Sequence, residues 1–478
     1  MLIAALASAA SLASAGGTSP TAITAPLSVR PANPHYFVDP SGKPVYLTGS
    51  HTWNTFQDWG TNGTVEPVDF TAFVAFLVAH HHNFTLLWAT ELPVFHGLPT
   101  TGKSPPDFTV EPHPWQRTGP GLATDGKPRF DLKRFNQSYF DRLRQRVQEL
   151  NAAGIYAGVY FFTGEWLNLF RFPQDGYPLS GSNNINGVDD GGGTGAVTMT
   201  APNPVTAIQD AYVGKVIDTL NDLPNVLWIV SEEAPANSIW WNSHLIALTR
   251  SCEATKPCKH PVGFATTMDL SDSTLLNSDA DWIAPASRIS PTASHGLGHP
   301  ADKININDSD HSYWEMWNDP PQTNRSYFWI NFTNGNQTLF MDPYVLSYPR
   351  QSRNLPPSPI NGISPGPDRR WDNVRDTMGF IRMYADRMNL AAMTSHNELA
   401  STGHALATLE PGKIEILVYA PLGGAQDVDL SSAPGRLAVE WLNPATGARA
   451  AGPEIEGGAT RTLVPPFTGD SVVYLRSK

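Results

Sequence analysis

The sequence predicts an α/β architecture, a (β/α)8 TIM barrel followed by a small antiparallel β-sandwich domain, and three observations carry that expectation. Across residues 35–394, eight short runs of β-favouring residues recur, most of them separated by segments with apolar residues at helical spacing. Five run ends carry acids or imidazoles (His51, Glu91, Glu165, the pair Glu232 and Glu233, and Asp308 with Asp310 and His311), and the last run adds Asp342. The carboxyl ends of barrel strands are where this fold gathers its chemistry. From about residue 395 the helical signal stops, and short alternating strands separated by turn residues occupy the rest of the chain.

Each element follows from local pattern. Residues 1–15 form an Ala/Leu/Ser run ending in Ala-Ser-Ala, which resembles a signal peptide without a basic leading segment and predicts a secreted or periplasmic protein. Residues 16–34, rich in Ser, Thr, Ala and Pro, read as a linker. Residues 37–46 predict a hairpin turning at Pro-Ser-Gly, and residues 45–49 the first barrel strand, which runs into a polar-aromatic rim at 50–58. Phe70, Phe73, Val74, Leu77 and Val78 give residues 68–80 a helical stripe, and strand two follows at 84–88. The stretch from there to residue 130 is rich in Pro and Gly and predicts a long functional loop. A helix at 137–153, stopped by Gly154, precedes strand three at 155–162. A second long loop then leads to a helix at 205–220, strand four at 226–231 and a helix at 238–255. Strands five to eight are expected at 261–265, 281–285, 303–307 and 337–341, with only a weak helix between five and six. A helix at 371–388 closes the barrel, and strands at 415–419, 427–430, 437–441, 460–464 and 471–475 make the sandwich.

The totals exclude several classes. A chain of 478 residues, 41% hydrophobic and 16% charged, has room for a large barrel plus one accessory domain. Its net charge of −12 argues against a nucleic-acid partner, and no segment is apolar enough to span a bilayer. Nothing in the totals sets an oligomeric state. No metal is expected: His80-His-His82 lacks the His-Glu-x-x-His spacing and falls at a helix end, where imidazole suits the dipole. The glycine run 191–195 does not link a strand to a helix, so it makes no phosphate cradle, and no cofactor is implied. No Gly-x-Ser-x-Gly elbow is present. Cys252 and Cys258 lie six positions apart; in an exported chain a local disulfide is favoured over two free thiols. Of the seven Asn-x-Ser/Thr sites, those at Asn83 and Asn307 fall in or beside strands where a glycan would not fit.

The chemistry centres on strand four, Asn-Val-Leu-Trp-Ile-Val-Ser-Glu-Glu-Ala-Pro at 225–235, where an apolar run ends in two acids. Alternation turns Val226, Trp228 and Val230 to the helices, and Leu227, Ile229, Ser231 and Glu233 to the barrel axis. A buried acid needs a reason, and Glu233 is the first catalytic candidate. Two carboxylates across a cleft are the minimum equipment for glycoside hydrolysis, one as acid/base and one as nucleophile. Strand seven offers Asp308 or Asp310 as the second. Ile304 and Ile306 look helix-facing, so strict alternation sends Asp308 outward and favours Asp310, beyond the regular strand. Substrate-binding candidates from the run ends and their aromatic neighbours are His51, Trp53, Asn54, Trp88, Glu91, Glu165, Trp166, Glu232, His311, Asp342 and Tyr344.

These segments resemble the apiosidase-like glycoside hydrolases and their secreted relatives, which join a clan-A-type barrel to a C-terminal β-sandwich of the type labelled collagen-binding. The residues that carry the resemblance are Tyr-Leu-Thr-Gly-Ser-His-Thr-Trp-Asn at 46–54, Val-Leu-Trp-Ile-Val-Ser-Glu-Glu-Ala at 226–234, Asn-Asp-Ser-Asp-His at 307–311 and Phe-Met-Asp-Pro-Tyr at 340–344. In the tail, Val-Glu-Trp-Leu-Asn-Pro-Ala-Thr-Gly at 439–447 and Pro-Pro-Phe-Thr-Gly-Asp at 465–470 are similar as well. The resemblance implies an acid/base after strand four and a nucleophile after strand seven, hence a retaining glycosidase acting on plant or microbial poly- or oligosaccharides. Two positions depart from the family pattern. Glu232 stands where the family carries an Asn that donates to the sugar 2-hydroxyl, and aspartates stand where strand seven ordinarily ends in Glu. The competing expectation is a catalytically silent carbohydrate-binding or adhesive protein.

Overall fold

The computed structural model describes residues 21–29, 33–61, 63–95, 107–169, 171–266, 273–285, 303–309, 324–342, 344, 367 and 369–477. The expected signal peptide, part of the linker, Asp310 and His311 lie outside the described residues.

Eight parallel strands form the barrel: β1 (Thr48–His51), β2 (Phe84–Leu87), β3 (Tyr156–Tyr160), β4 (Val226–Ile229), β5 (Val262–Ala265), β6 (Trp282–Ala284), β7 (Ile304–Asp308) and β8 (Gln337–Met341). Their spatial order is β1-β8-β7-β6-β5-β4-β3-β2. Asn83 and Thr85 close the ring: the Asn83 amide N–H donates to the Thr48 carbonyl (3.0 Å), the Asn83 side chain accepts from the Thr48 N–H (3.0 Å), and the Thr85 hydroxyl donates to Ser50 (2.9 Å). The first strand therefore begins three residues later than expected, because Pro44–Val45 pairs back onto Phe37–Val38 in the entry hairpin. Inside the barrel, Gly158 is required. A Cβ there would stand 2.6 Å from Leu86 and 3.1 Å from Ile229, the inward side chains of the flanking strands.

Helices α1 (Phe70–Ala79), α2 (Gln137–Ala152), α3 (Pro204–Leu220), α4 (Ile239–Glu253), α5 (Arg325–Thr333) and α6 (Asp372–Arg387) pack around the sheet. Asp69 caps α1 by accepting the Ala72 N–H, and Asn203 with Thr206 forms a reciprocal capping box on α3, with Pro204 in its first turn. Between β5 and β6 the only described helix is one turn, Ser273–Leu276.

Two features differ from expectation. The stretch after β2 holds strands. Val94–Phe95 and Asp58–Thr61 pair with Phe108–Glu111, and Trp115–Leu122 pairs with Pro128–Phe135. Helix α5 also had no clear signal, and every residue of it is buried. Its Trp329 stacks on Tyr419 of the C-terminal domain at 6.0 Å, and Arg325 grips Asp470 with two nitrogens at 3.1 and 2.7 Å.

The C-terminal domain is a six-stranded antiparallel sheet in the order Thr394–Ser395, Ala405–Thr408, Glu415–Ala420, Ser471–Ser477, Arg436–Leu442, Arg449–Glu456. The pair Gln426–Asp429 and Thr460–Leu463 packs against it through Val428 and Leu463. Among the described residues no helix is long and apolar enough to cross a membrane. Cys252 and Cys258 are free thiols rather than the expected disulfide, and burial raises both thiol pKa values.

Candidate active site

The carboxyl ends of the barrel strands bring together a chain of buried polar side chains. His51, the last residue of β1, places Nε2 2.7 Å from the Asp308 carboxylate at the end of β7. Strand β8 lies between those two strands, so their side chains can meet only across the barrel interior. The indole N–H of Trp88, just past β2, donates to His51 Nδ1 at 3.0 Å. Trp88 contacts the ring of Tyr160, last in β3, at 4.8 Å. The Tyr160 hydroxyl in turn donates to the carboxylate of Glu232, after β4. His51, Trp88 and Glu232 are fully buried, and Asp308 is 1% exposed. Ionisable groups this deep are tolerated because each meets a partner.

This geometry corrects the orientations expected of strands four and seven. On β7, Asn305 and Asn307 face the helical layer, where their amides meet Asn336 (3.3 Å) and Asn331 (2.5 Å). Asp308 thereby faces inward, on the opposite side of the strand from both asparagines. The expectation that Ile304 and Ile306 face the helices is reversed. A barrel strand is buried on both faces, so polarity alone does not tell which side is the cleft. On β4, the Ser231 hydroxyl donates to Asn242 of α4 (2.6 Å) rather than facing the axis, and Glu232 turns to Tyr160. The regular strand ends at Ile229, which frees the next residues from alternation. Glu233 is half-buried, with its backbone in the left-handed region at φ 37°. A non-glycine residue held there stores strain, a frequent mark of a functional position.

The remaining candidates separate clearly. Asn54 is fully buried, and among the described residues its amide oxygen and nitrogen have no hydrogen-bonding partner. Such an amide is a ready hydroxyl receptor. Trp53 and Trp166 pack into an aromatic cluster with Trp59 and Phe95, meeting each other edge-on at 4.9 Å, and are 5% and 0% exposed. They are core, not sugar platforms. Asp342 is held by Arg375 of α6 through both carboxylate oxygens (2.8 and 2.5 Å), which removes it from substrate binding. Tyr344 lies over Phe73 and Phe76 of α1 at 5.1 and 4.7 Å, also away from the inward ring. Glu165 is 8% exposed, and its backbone N–H donates to the Glu232 carbonyl at 3.1 Å, fixing the end of β4. In the His80-His-His82 run, His80 pairs with Asp376, and His82 accepts from the Ser50 N–H and donates to the Arg375 carbonyl. Burial pushes the His82 pKa down to about 3.

Glu91 clasps two loops. Its carboxyl accepts the Thr163 N–H at 2.8 Å and lies 2.5 Å from the Thr163 hydroxyl, which is also 3.0 Å from the Ala89 carbonyl. A hydroxyl has one proton for these two acceptors. Protonating Glu91 resolves the conflict: the acid donates to Thr163, and Thr163 donates to Ala89. Desolvation against Trp115, Tyr139 and Tyr212 accordingly raises the Glu91 pKa to about 7.

Sequence reasoning missed Tyr160, Thr163 and Arg375. The alternation Tyr156, Gly158, Tyr160 on strand three was the available signal for the first; the others act through partners distant in sequence.

No protein-family model matches the chain, and no curated protein matches it in sequence. Solved structures do match it. One described as a glycoside hydrolase aligns with TM-score 0.60 at 13% identity, covering 95% of this chain and 97% of that one. A glycoside hydrolase family 5 protein from Bacteroides vulgatus aligns with TM-score 0.60 at 13% identity, covering 95% of this chain and 93% of its own. Over nearly its whole length, the chain shares the fold of these two glycoside hydrolases.

Proposed function

We propose that this chain is a secreted glycoside hydrolase that cleaves plant or microbial poly- or oligosaccharides with retention of configuration. The observation that carries the reading is the inward ring that joins Asp308 on β7 to Glu232 beside Glu233 after β4, on strands separated in the barrel by two others. Asp308 is the nucleophile: its carboxylate attacks the anomeric carbon as the glycosidic bond breaks, giving a glycosyl ester. Glu233, half-buried and strained, donates the proton to the leaving oxygen and then takes one from the water that hydrolyses the ester. Asp308 takes precedence over Asp310 because the His51 imidazole meets it from across the interior. Glu232 accepts the hydrogen bond of the Tyr160 hydroxyl, so it does not stand in for the donating asparagine of the family pattern. Asn54 supplies the missing amide for sugar hydroxyls.

The test is a screen against oligosaccharides and aryl glycosides, with NMR of the first-formed anomer. Glu233→Gln and Asp308→Asn should each cut kcat by about a hundred- to ten-thousandfold in a folded protein. An active Asp308→Asn beside an inactive Asp310→Asn would move the nucleophile to Asp310. Sugar binding without cleavage of any substrate would leave a carbohydrate-binding protein instead.

A further inference from the structure

We propose that Trp88 is a positioning residue of this site: its indole N–H sets the tautomer of His51, and His51 in that tautomer holds the carboxylate of Asp308. The catalytic consequence rests on the reading of Asp308 as nucleophile; the tautomer assignment stands on geometry alone.

An indole N–H can only donate. Trp88 Nε1 lies 3.0 Å from His51 Nδ1, so that ring nitrogen is the acceptor. The single ring proton of neutral His51 is then on Nε2, the atom 2.7 Å from Asp308. A proton placed on Nδ1 would meet the indole N–H, donor against donor. The rings of His51 and Trp88 lie edge to edge, centroids 5.6 Å apart with 26° between planes, the near-coplanar arrangement that an in-plane N–H···N bond requires. Neither side chain has exposed surface, so water does not compete for these atoms.

The arrangement answers a geometric demand of the proposed chemistry. Aspartate reaches one methylene less far than the glutamate expected after strand seven, so a small error in its placement costs proportionately more in a nucleophilic attack. An imidazole fixed from β1, with Nε2 2.7 Å from the carboxylate, limits where that carboxylate can stand. Trp88, which sequence alone suggests as a sugar-stacking ring, serves through His51 instead.

The test begins with the full-length wild-type chain carrying 15N-labelled histidine. Long-range 1H–15N correlation reads which ring nitrogen bears the proton, and a His51→Asn sample identifies the His51 signals among the 14 histidines. The expected result is His51 protonated at Nε2 only; a proton at Nδ1 overturns the proposal without any variant having to fold. In Trp88→Phe the Nδ1-protonated form should become populated. The same variant should lower kcat by about ten- to a hundredfold, the range seen when a group that orients a functional histidine is lost, with KM within about threefold. A raised KM with unchanged kcat would make Trp88 a substrate platform and refute the positioning role. A wild type inactive on every glycoside, yet protonated at Nε2, would sink the hydrolase reading while supporting the tautomer assignment.

Discussion

Replacing Glu91 by Gln should stabilise the protein in alkaline solution and change little in acid. The glutamine amide reproduces the protonated acid: its oxygen accepts the Thr163 N–H, and its NH2 donates to the Thr163 hydroxyl. In the folded protein Glu91 keeps its proton up to about pH 7, whereas the ordinary value is 4.5. Between those values the folded state binds more protons than the unfolded state, so the wild type loses stability as pH rises through that window. The full loss is about 3 kcal/mol above pH 7, and that is an upper figure because Glu91 keeps an edge in solvent. Urea denaturation of both proteins would show it. The variant should exceed the wild type by about 1 kcal/mol or less at pH 5, and by up to about 3 kcal/mol at pH 8.5. A difference that is the same at both pH values would refute the reasoning, because Glu91 would then be ionised throughout with Thr163 as its donor.

Arg375→Met should cost about 3 to 5 kcal/mol, since it leaves Asp342 buried without its two-pronged partner, and Asp342→Asn in the same chain should recover part of that loss; denaturant midpoints of the single and double variants check this. Thiol titration of the unfolded, unreduced protein should find both Cys252 and Cys258 reactive, and a reducing agent should leave the melting temperature unchanged.

The barrel was legible because each strand is a short apolar run bounded by turn residues, and its carboxyl ends were marked by acids. Which face of a strand met the cleft was not legible. On strand seven Asn305 and Asn307 carry the polar side to the helices because Asn331 and Asn336 wait there, partners that no local pattern announces. The strands within residues 89–135 were hidden for a similar reason. Phe108–Glu111 pairs with Asp58–Thr61, about fifty positions earlier, and Gly119 and Pro120 break the usual strand signature in Trp115–Leu122. Asp342 read as a cleft acid because Arg375 lies 33 residues away. The acids on strands four and seven were visible from sequence; the His51, Trp88 and Tyr160 links between them depend on the barrel being closed.

Helix α5 bears on how the molecule can be divided. It supports β7 from behind, with Asn331 accepting from Asn307 and the Tyr327 hydroxyl donating to the Asn307 carbonyl at 3.3 Å, one residue before Asp308. Its other side is clamped by Asp470 and Tyr419. The terminal domain is therefore a buttress for the strand that carries the proposed nucleophile, not cargo on a tether. Cutting the chain at the apparent border would strip one side of a fully buried helix and loosen Asp308 from a distance. A truncated barrel prepared to simplify assays would lose the very alignment the assay is meant to measure.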